Sequence, residues 1–189
     1  MTADLQGRRI LVSVGGSVAA FKACEVITDL RRAGAEVRVA MTDAATHFVT
    51  PTLLRALSGS PVASSMWEDD GTGEGHGMSH LTLAAWCEVQ VVVAASADLI
   101  ARLALGLAND AVTATALACR ALLLVAPAME AAMWEHPATQ GHAATLTSRS
   151  ARIIGPVRGR LASGHEATGR MVEPDEIVAA VGDILGAGA

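Results

Sequence analysis

The 189-residue chain is long enough for one α/β domain with a substantial core, and 51% of its residues are hydrophobic. A net charge of −5 without any basic run argues against a nucleic-acid partner, and with only two Phe, three Trp and no Tyr the interior must be built from aliphatic side chains. The longest apolar runs are too short to span a membrane, MTADLQGRR has no signal core, and Cys24, Cys87 and Cys119 are scattered as in a reduced protein, so a cytoplasmic single domain over residues 1–189 is expected.

In chain order, RILVSVGG reads as a buried strand ending in a glycine pair. The following SVAAFKACEVITDLRRAG has helical spacing, with Val18, Phe21, Val26 and Leu30 on one apolar stripe and Gly34 as the stop. AEVRVAMT alternates as a strand, and DAATHFVTPTLLRALSG reads as helix with a break near Pro51. PVASSMW is a candidate short strand, and the acidic, glycine-rich EDDGTGEGHGMS (68–79) is the expected mobile loop. HLTLAAWCE predicts a short helix and VQVVVAAS a strand. ADLIARLALGLANDAVTATALAC predicts one helix or two, broken at GLAND. ALLLVAPAM reads as a strand, EAAMWEHPATQGHAATLTSR as helix and ARIIGPV as a strand. GRLASGHEATGRM (159–171) is too rich in glycine for either element and is expected to be a loop. EPDEIVAAVGDILG closes the chain as a helix opened by Pro174 and acidic residues. The alternation predicts a doubly wound parallel sheet in a three-layer α/β/α (Rossmann-like) arrangement. Ligands should then bind at the loops after the strands: 15–17, 41–48, 95–99, 126–130 and 156–171.

VGGSVAAFK places backbone amides and the Ser17 hydroxyl where a phosphate can bind. Ser17 and Ala20 stand where a dinucleotide fingerprint needs glycine, and no P-loop lysine follows, so the turn suits either a phosphorylated ligand other than a dinucleotide or an ordinary tight turn. His80 opens a short helix and has the chemistry of a general base, or of a surface histidine. His76 and His80 lie four apart, but no third ligand accompanies them, and no metal site is expected. In APAMEAAMW, Met129, Met133 and Trp134 read as core or as a pocket wall, with Glu130 at the end of a strand.

Taken together, GGSVAAFK, SHLTLAAW, VVVAASADLIARLALGLANDAVTATALA, APAMEAAMW and GRLASGHEATGRMVEPDEI resemble, in order, the homo-oligomeric flavin-containing cysteine decarboxylases. That family includes phosphopantothenoylcysteine decarboxylase and the peptidyl-cysteine decarboxylases of epidermin-type biosynthesis. The resemblance spans about residues 8–182. It implies an FMN-binding fold assembled as homotrimers or dodecamers, with flavin near the protomer boundary. It implies FMN contacts at Gly16, Ser17, Val18, Thr42, Phe48, Ser96, Ala97, Asp98, Leu99 and Ala128, and an active-site histidine at His80. In this chemistry, oxidation at the thiol-bearing carbon gives a thioaldehyde. Its carboxylate is then β to an electron sink, and loss of carbon dioxide leaves an enethiol. His80 would deprotonate or orient the thiol.

Three positions depart from the family pattern. Glu130 stands where an asparagine commonly holds the substrate carboxylate, so it must be protonated, bond an amide or a cation, or accompany rearranged binding. Asp98 replaces an asparagine of the flavin segment. Ser163 replaces the cysteine that serves the reductive half-reaction of the coenzyme A enzyme. A serine hydroxyl is neither acidic enough nor redox-active, which implies a reaction stopping at the enethiol. The resulting expectation is oxidative decarboxylation of the C-terminal cysteine of a precursor peptide, toward aminovinyl-cysteine. The alternatives are phosphopantothenoylcysteine decarboxylation and an idle flavin-binding subunit. Glu130, Met133, Arg160, Ser163, His165 and Arg170 are the expected substrate contacts.

Overall fold

A computed structural model describes residues 4–67 and 78–186. Strands β1 (Arg9–Val14), β2 (Glu36–Met41), β3 (Val62–Ala63), β4 (Val89–Ala95), β5 (Leu122–Pro127) and β6 (Arg152–Ile153) form a parallel sheet in the order β3-β2-β1-β4-β5-β6. Helices α1 (Ala23–Arg32), α2 (Pro51–Ser58), α3 (Ser79–Trp86), α4 (Ala97–Leu105), α5 (Ala111–Ala118), α6 (Ala131–Trp134), α7 (Pro137–Ser148) and α8 (Pro174–Gly186) complete the frame. Alternate residues of each central strand serve opposite faces, as the period of two requires. Ile10, Val12, Val14, Val91 and Val93 join a core with α1, α2 and α8, while Leu11, Val92 and Val125 join one with α3, α4, α5 and α7. The expected doubly wound, three-layer sheet is the fold observed. Every residue of β4 is buried, which explains why VQVVVAA reads as a nearly unbroken apolar run.

Two expectations change. Val18 and Phe21 do not share the buried stripe of Val26 and Leu30; they are 56% and 60% exposed, whereas the latter pair is fully buried. Residues Val18–Lys22 wind as a 3₁₀ turn before α1 begins at Ala23. With three residues per turn instead of 3.6, the first turn is rotated away from the face that α1 presents to the sheet. The second change concerns residues 159–171, expected as a loop. They belong largely to an antiparallel hairpin, β7 (Val157–Arg160) and β8 (Glu166–Arg170), with Gly164 at the tip in a left-handed conformation (φ 89°). Its other glycines are demanded by close packing within and against strands. A Cβ on Gly169 would lie 2.2 Å from the Met129 carbonyl oxygen, and one on Gly159 would lie 2.6 Å from Cδ of Arg170. The strands expected from PVASSMW and ARIIGPV shrink to two residues each at the sheet edges. The GLAND break is real and separates α4 from α5, whereas most of the expected 68–79 loop falls outside the described residues.

Asp110 makes that break structural. Its Oδ1 accepts the Thr113 N–H at 2.8 Å, capping α5, and its other oxygen pairs with Arg102, which also bonds Asp98 at 2.9 Å. The Arg102 and Asp110 side chains are only 16% and 15% exposed. Asp110→Ala removes both a cap and the partner of a largely buried cation, and should cost about 2–4 kcal/mol in urea unfolding, against a change within ~0.5 kcal/mol if the pair contributes nothing.

Candidate functional site

The sheet order reverses direction between β1 and β4, so the crevice beyond their carboxyl ends is where an open α/β sheet places its ligand. The local sequence shapes this crevice by close backbone approach. At Gly15 a Cβ would sit 2.5 Å from the Ala94 carbonyl oxygen, and at Gly16 it would sit 2.4 Å from the Ala44 methyl. Ala94 itself adopts a positive φ of 58° beside a register shift in β4. Ser17 then caps the 3₁₀ turn, its Oγ accepting the Ala19 N–H at 3.3 Å, and Ser96 caps α4 by accepting the Leu99 N–H at 3.2 Å. Both serines line the crevice at the ends of two adjacent strands, each at the start of a helical segment.

A cavity of about 680 Å³ opens here. Of the residues expected to bind cofactor or substrate, it gathers Gly16, Ser17, Val18, Phe48, Ser96, Ala128, Glu130, Met133, Arg160 and Arg170. Two other cavities, of about 750 and 460 Å³, lie at the amino ends of the strands and among α4, α5 and α7, away from the switch point. The wall also takes in Met129, which with Met133 is thereby pocket wall rather than core. Further members are ones that local sequence does not single out: Lys22, Phe21, Met171 and the hairpin residues Leu161 and Ala162. Phe21 was hidden by its place in an apparently apolar helical stripe. Met171 was hidden by being only 1% exposed; its sulfur accepts the Ala94 N–H at 3.3 Å.

Charge is unevenly distributed around the wall. Lys22, Arg160 and Arg170 supply three cations, and Glu130 is the one carboxylate lining the cavity among the described residues. Glu173 stands just outside and bridges two of the cations: Lys22 Nζ donates to it at 2.8 Å, and Arg170 pairs with its other oxygen. The Lys22 hydrogen bond is the main reason the Glu173 carboxyl is held below its ordinary pKa. Arg160 has no ion-pair partner among the described residues, leaving it available to an anion.

Glu130 and Ser163 meet. The Ser163 amide and hydroxyl donate to the two Glu130 carboxylate oxygens at 3.1 and 2.9 Å. Of the arrangements open to Glu130, this is the one in which it bonds an amide. Together with the Met129 N–H donated to the Gly169 carbonyl at 3.0 Å, the contact clasps the hairpin over the β5–α6 turn.

Thr42, Ala97, Asp98, Leu99 and His165 are not on the cavity wall. Thr42 is 2% exposed and caps the turn Asp43–His47; Leu99 is fully buried; Asp98 points outward to Arg102. The His165 carbonyl closes the hairpin tip by accepting the Leu161 N–H. His80 also lies off the wall, as the second residue of α3. It is half-buried, and its Nδ1 is shielded from solvent without a hydrogen-bond partner among the described residues.

An apolar wall of Val18, Phe48, Met129 and Met133, hydroxyls on two strand ends and nearby cations fit a flat, phosphorylated cofactor such as FMN. Ser163→Ala should leave global stability within ~1 kcal/mol but accelerate hydrogen exchange at residues 161–165. Unchanged exchange there would mean that the hairpin tip is held without Glu130.

Comparison with known proteins agrees with this geometry. A Flavoprotein family model matches residues 1–186. The coenzyme A biosynthesis bifunctional protein CoaBC of Haemophilus influenzae is 42% identical over 181 residues, which cover 96% of this chain and 44% of that protein. The chain thus spans less than half the length of that curated relative. A cysteine-to-serine mutant of a PPC decarboxylase, complexed with pantothenoylaminoethenethiol, superposes with a TM-score of 0.83 at 30% identity, covering 96% of this chain and all of that one. The FMN-dependent cysteine decarboxylase SpaF does so with a TM-score of 0.81 at 31% identity, covering 98% and 99% of the two chains. In keeping with the flavin-containing family that its motifs resemble, the chain belongs to the Flavoprotein family.

Proposed function

We propose that the chain is an FMN-dependent cysteine decarboxylase and that its substrate is phosphopantothenoylcysteine. The observation that carries the choice of substrate is the 42% identity, over almost the whole chain, to a coenzyme A biosynthesis protein. It moves the preferred reading away from a precursor peptide. The crevice is compatible with it, because Arg160 is a cation without an ion-pair partner among the described residues, beside the Glu173-paired Lys22 and Arg170, and suits one anionic group of the ligand. Bound FMN supplies the two-electron acceptor that this carbon chemistry requires. Ser17 and Ser96 would hold the cofactor's phosphate, Met129 and Met133 would pack against its apolar part, and Arg160 would fix the substrate carboxylate.

We assign the thiol proton to His80, and because His80 lies off the wall of its own protomer's cavity, we assign that residue to the crevice of a neighbouring protomer. Val18, Phe21, Phe48 and Met133 leave an exposed apolar rim around the cavity, and Leu81, beside His80, is 44% exposed. A homotrimer, alone or in a dodecamer, covers that rim and brings His80 of one protomer to the crevice of the next. His80→Asn should lower kcat by about 10²–10⁴-fold with FMN retained. Co-assembly of that variant with Arg160→Ala should recover part of the activity, and wholly inactive mixed oligomers would place His80 in its own protomer's site.

One observation favours a second reading. Ser163 offers no thiol for a reductive half-reaction, and its hydroxyl is already donated to Glu130. This suits oxidative release of an enethiol from a C-terminal peptidyl cysteine. FMN-loaded protein incubated with each substrate separates the two by mass. Loss of carbon dioxide from phosphopantothenoylcysteine supports the first reading, with or without the further loss of two hydrogens, a pair that reports where Ser163 halts the reaction. Loss of carbon dioxide and two hydrogens from the peptide alone would transfer the assignment to the second.

A further inference from the structure

At the far end of the sheet from the crevice, two neighbouring helices end in the same way. Cys87 terminates α3 and Cys119 terminates α5; each donates its backbone N–H to the helix carbonyl four residues earlier, and each is extended, with ψ 146° and 139°. The two helices pack side by side, and the thiols meet with the sulfurs 3.3 Å apart, although 32 residues separate them in the chain. Cys119 Sγ also accepts the Ala121 N–H at 3.3 Å and lies 3.5 Å from the Ala84 carbonyl. The pair is reachable from outside on two sides. Cys87 lines the cavity of about 750 Å³ beside Arg8 and Arg120, and Cys119 lines the one of about 460 Å³.

We propose that Cys87 and Cys119 are an oxidisable dithiol which peroxide converts to an intramolecular disulfide joining the ends of α3 and α5. This site is independent of the flavin crevice and of the proposed substrate. The sulfurs must close by roughly 1.3 Å to reach bonding distance. Both belong to cap residues at the start of loops, where small side-chain and backbone adjustments are available. The roles divide between the two sulfurs. The neighbouring Cys87 thiol and the Ala121 N–H donated at 3.3 Å favour the thiolate at Cys119. Contact with Cys119 and burial, at 8% exposure, favour the protonated thiol at Cys87. Cys119 is therefore the attacking sulfur and Cys87 the resolving one.

The Cys119 sulfur attacks one peroxide oxygen; the O–O bond breaks, and hydroxide leaves and takes a proton to become water. Cys119 is now a sulfenic acid. The Cys87 sulfur then attacks the Cys119 sulfur, the S–O bond breaks, and a second water leaves. Two thiols have given up two protons and two electrons, and one peroxide has become two waters. Cys24, on α1 against the opposite face of the sheet, has no thiol partner and serves as an internal control.

The test uses the intact, folded chain. After titration with hydrogen peroxide and an acid quench, the protein is unfolded, labelled with N-ethylmaleimide and weighed. Reduced protein takes a label at each of its three cysteines. The proposal predicts that oxidised protein is lighter by two hydrogens and takes a single label at Cys24, with proteolysis yielding a peptide linked through Cys87 and Cys119. Dithiothreitol should restore all three sites. In Cys87→Ala, the Cys119 sulfenic acid has no resolving thiol, so trapping by dimedone should rise at least tenfold over the wild type. Retention of three labels at peroxide levels that oxidise a small dithiol standard overturns the proposal. So does oxidation of Cys119 with Cys87 still free, or a linkage between two chains.

Discussion

The close approach of β1 and β4 at their carboxyl ends is the constraint on which the remaining architecture depends. Gly15 leaves no room for a side chain against the Ala94 carbonyl, and Ala94 accepts a left-handed backbone there to make the contact. Because the sheet order reverses between these two strands, the chain leaving each one turns to a different side and a crevice opens between them. Ser17 and Ser96 stand at corresponding points of the two departures, both as helix caps. Met171 fits its sulfur under the Ala94 N–H and ties the segment after β8 to the same point.

From this floor the walls follow. The β7–β8 hairpin closes one side because Gly169 has no Cβ to hold it off the Met129 carbonyl, and Ser163 anchors its tip to Glu130. The two positions expected to depart from the family pattern, Glu130 and Ser163, are hydrogen-bonded to one another and form one local unit. Glu173 acts likewise, gathering Lys22 and Arg170 and leaving Arg160 as the cavity cation without an ion-pair partner among the described residues. Specificity at such a mouth depends as much on which charges are already neutralised as on which are present.

The central strands were readable because burial on both faces leaves an uninterrupted β-branched and aliphatic signature, as in VQVVVAA. The break at GLAND was readable because Gly106 and Asp110 have local roles, a left-handed stop and a cap. The hairpin was not, because its glycines answer to long-range contacts with Met129 and Arg170 that no local propensity encodes. Val18 and Phe21 were misassigned because a single 3₁₀ turn changes the period by which a helical stripe is counted. For the site, spacing alone found the Gly16–Ser17 turn, and the resemblance added most of the other wall residues. Neither could find Lys22 or the pairing of Ser163 with Glu130, which exist only once distant segments are folded together.

If flavin binds in the crevice at the β1–β4 switch point, crystals of the protein grown with FMN will show flavin density against Gly16–Val18, Ser96 and Met129, beneath the β7–β8 hairpin. Density in the cavity beside Arg8 and Arg120 instead, or a protein that stays colourless at saturating FMN, would remove the flavin from that crevice.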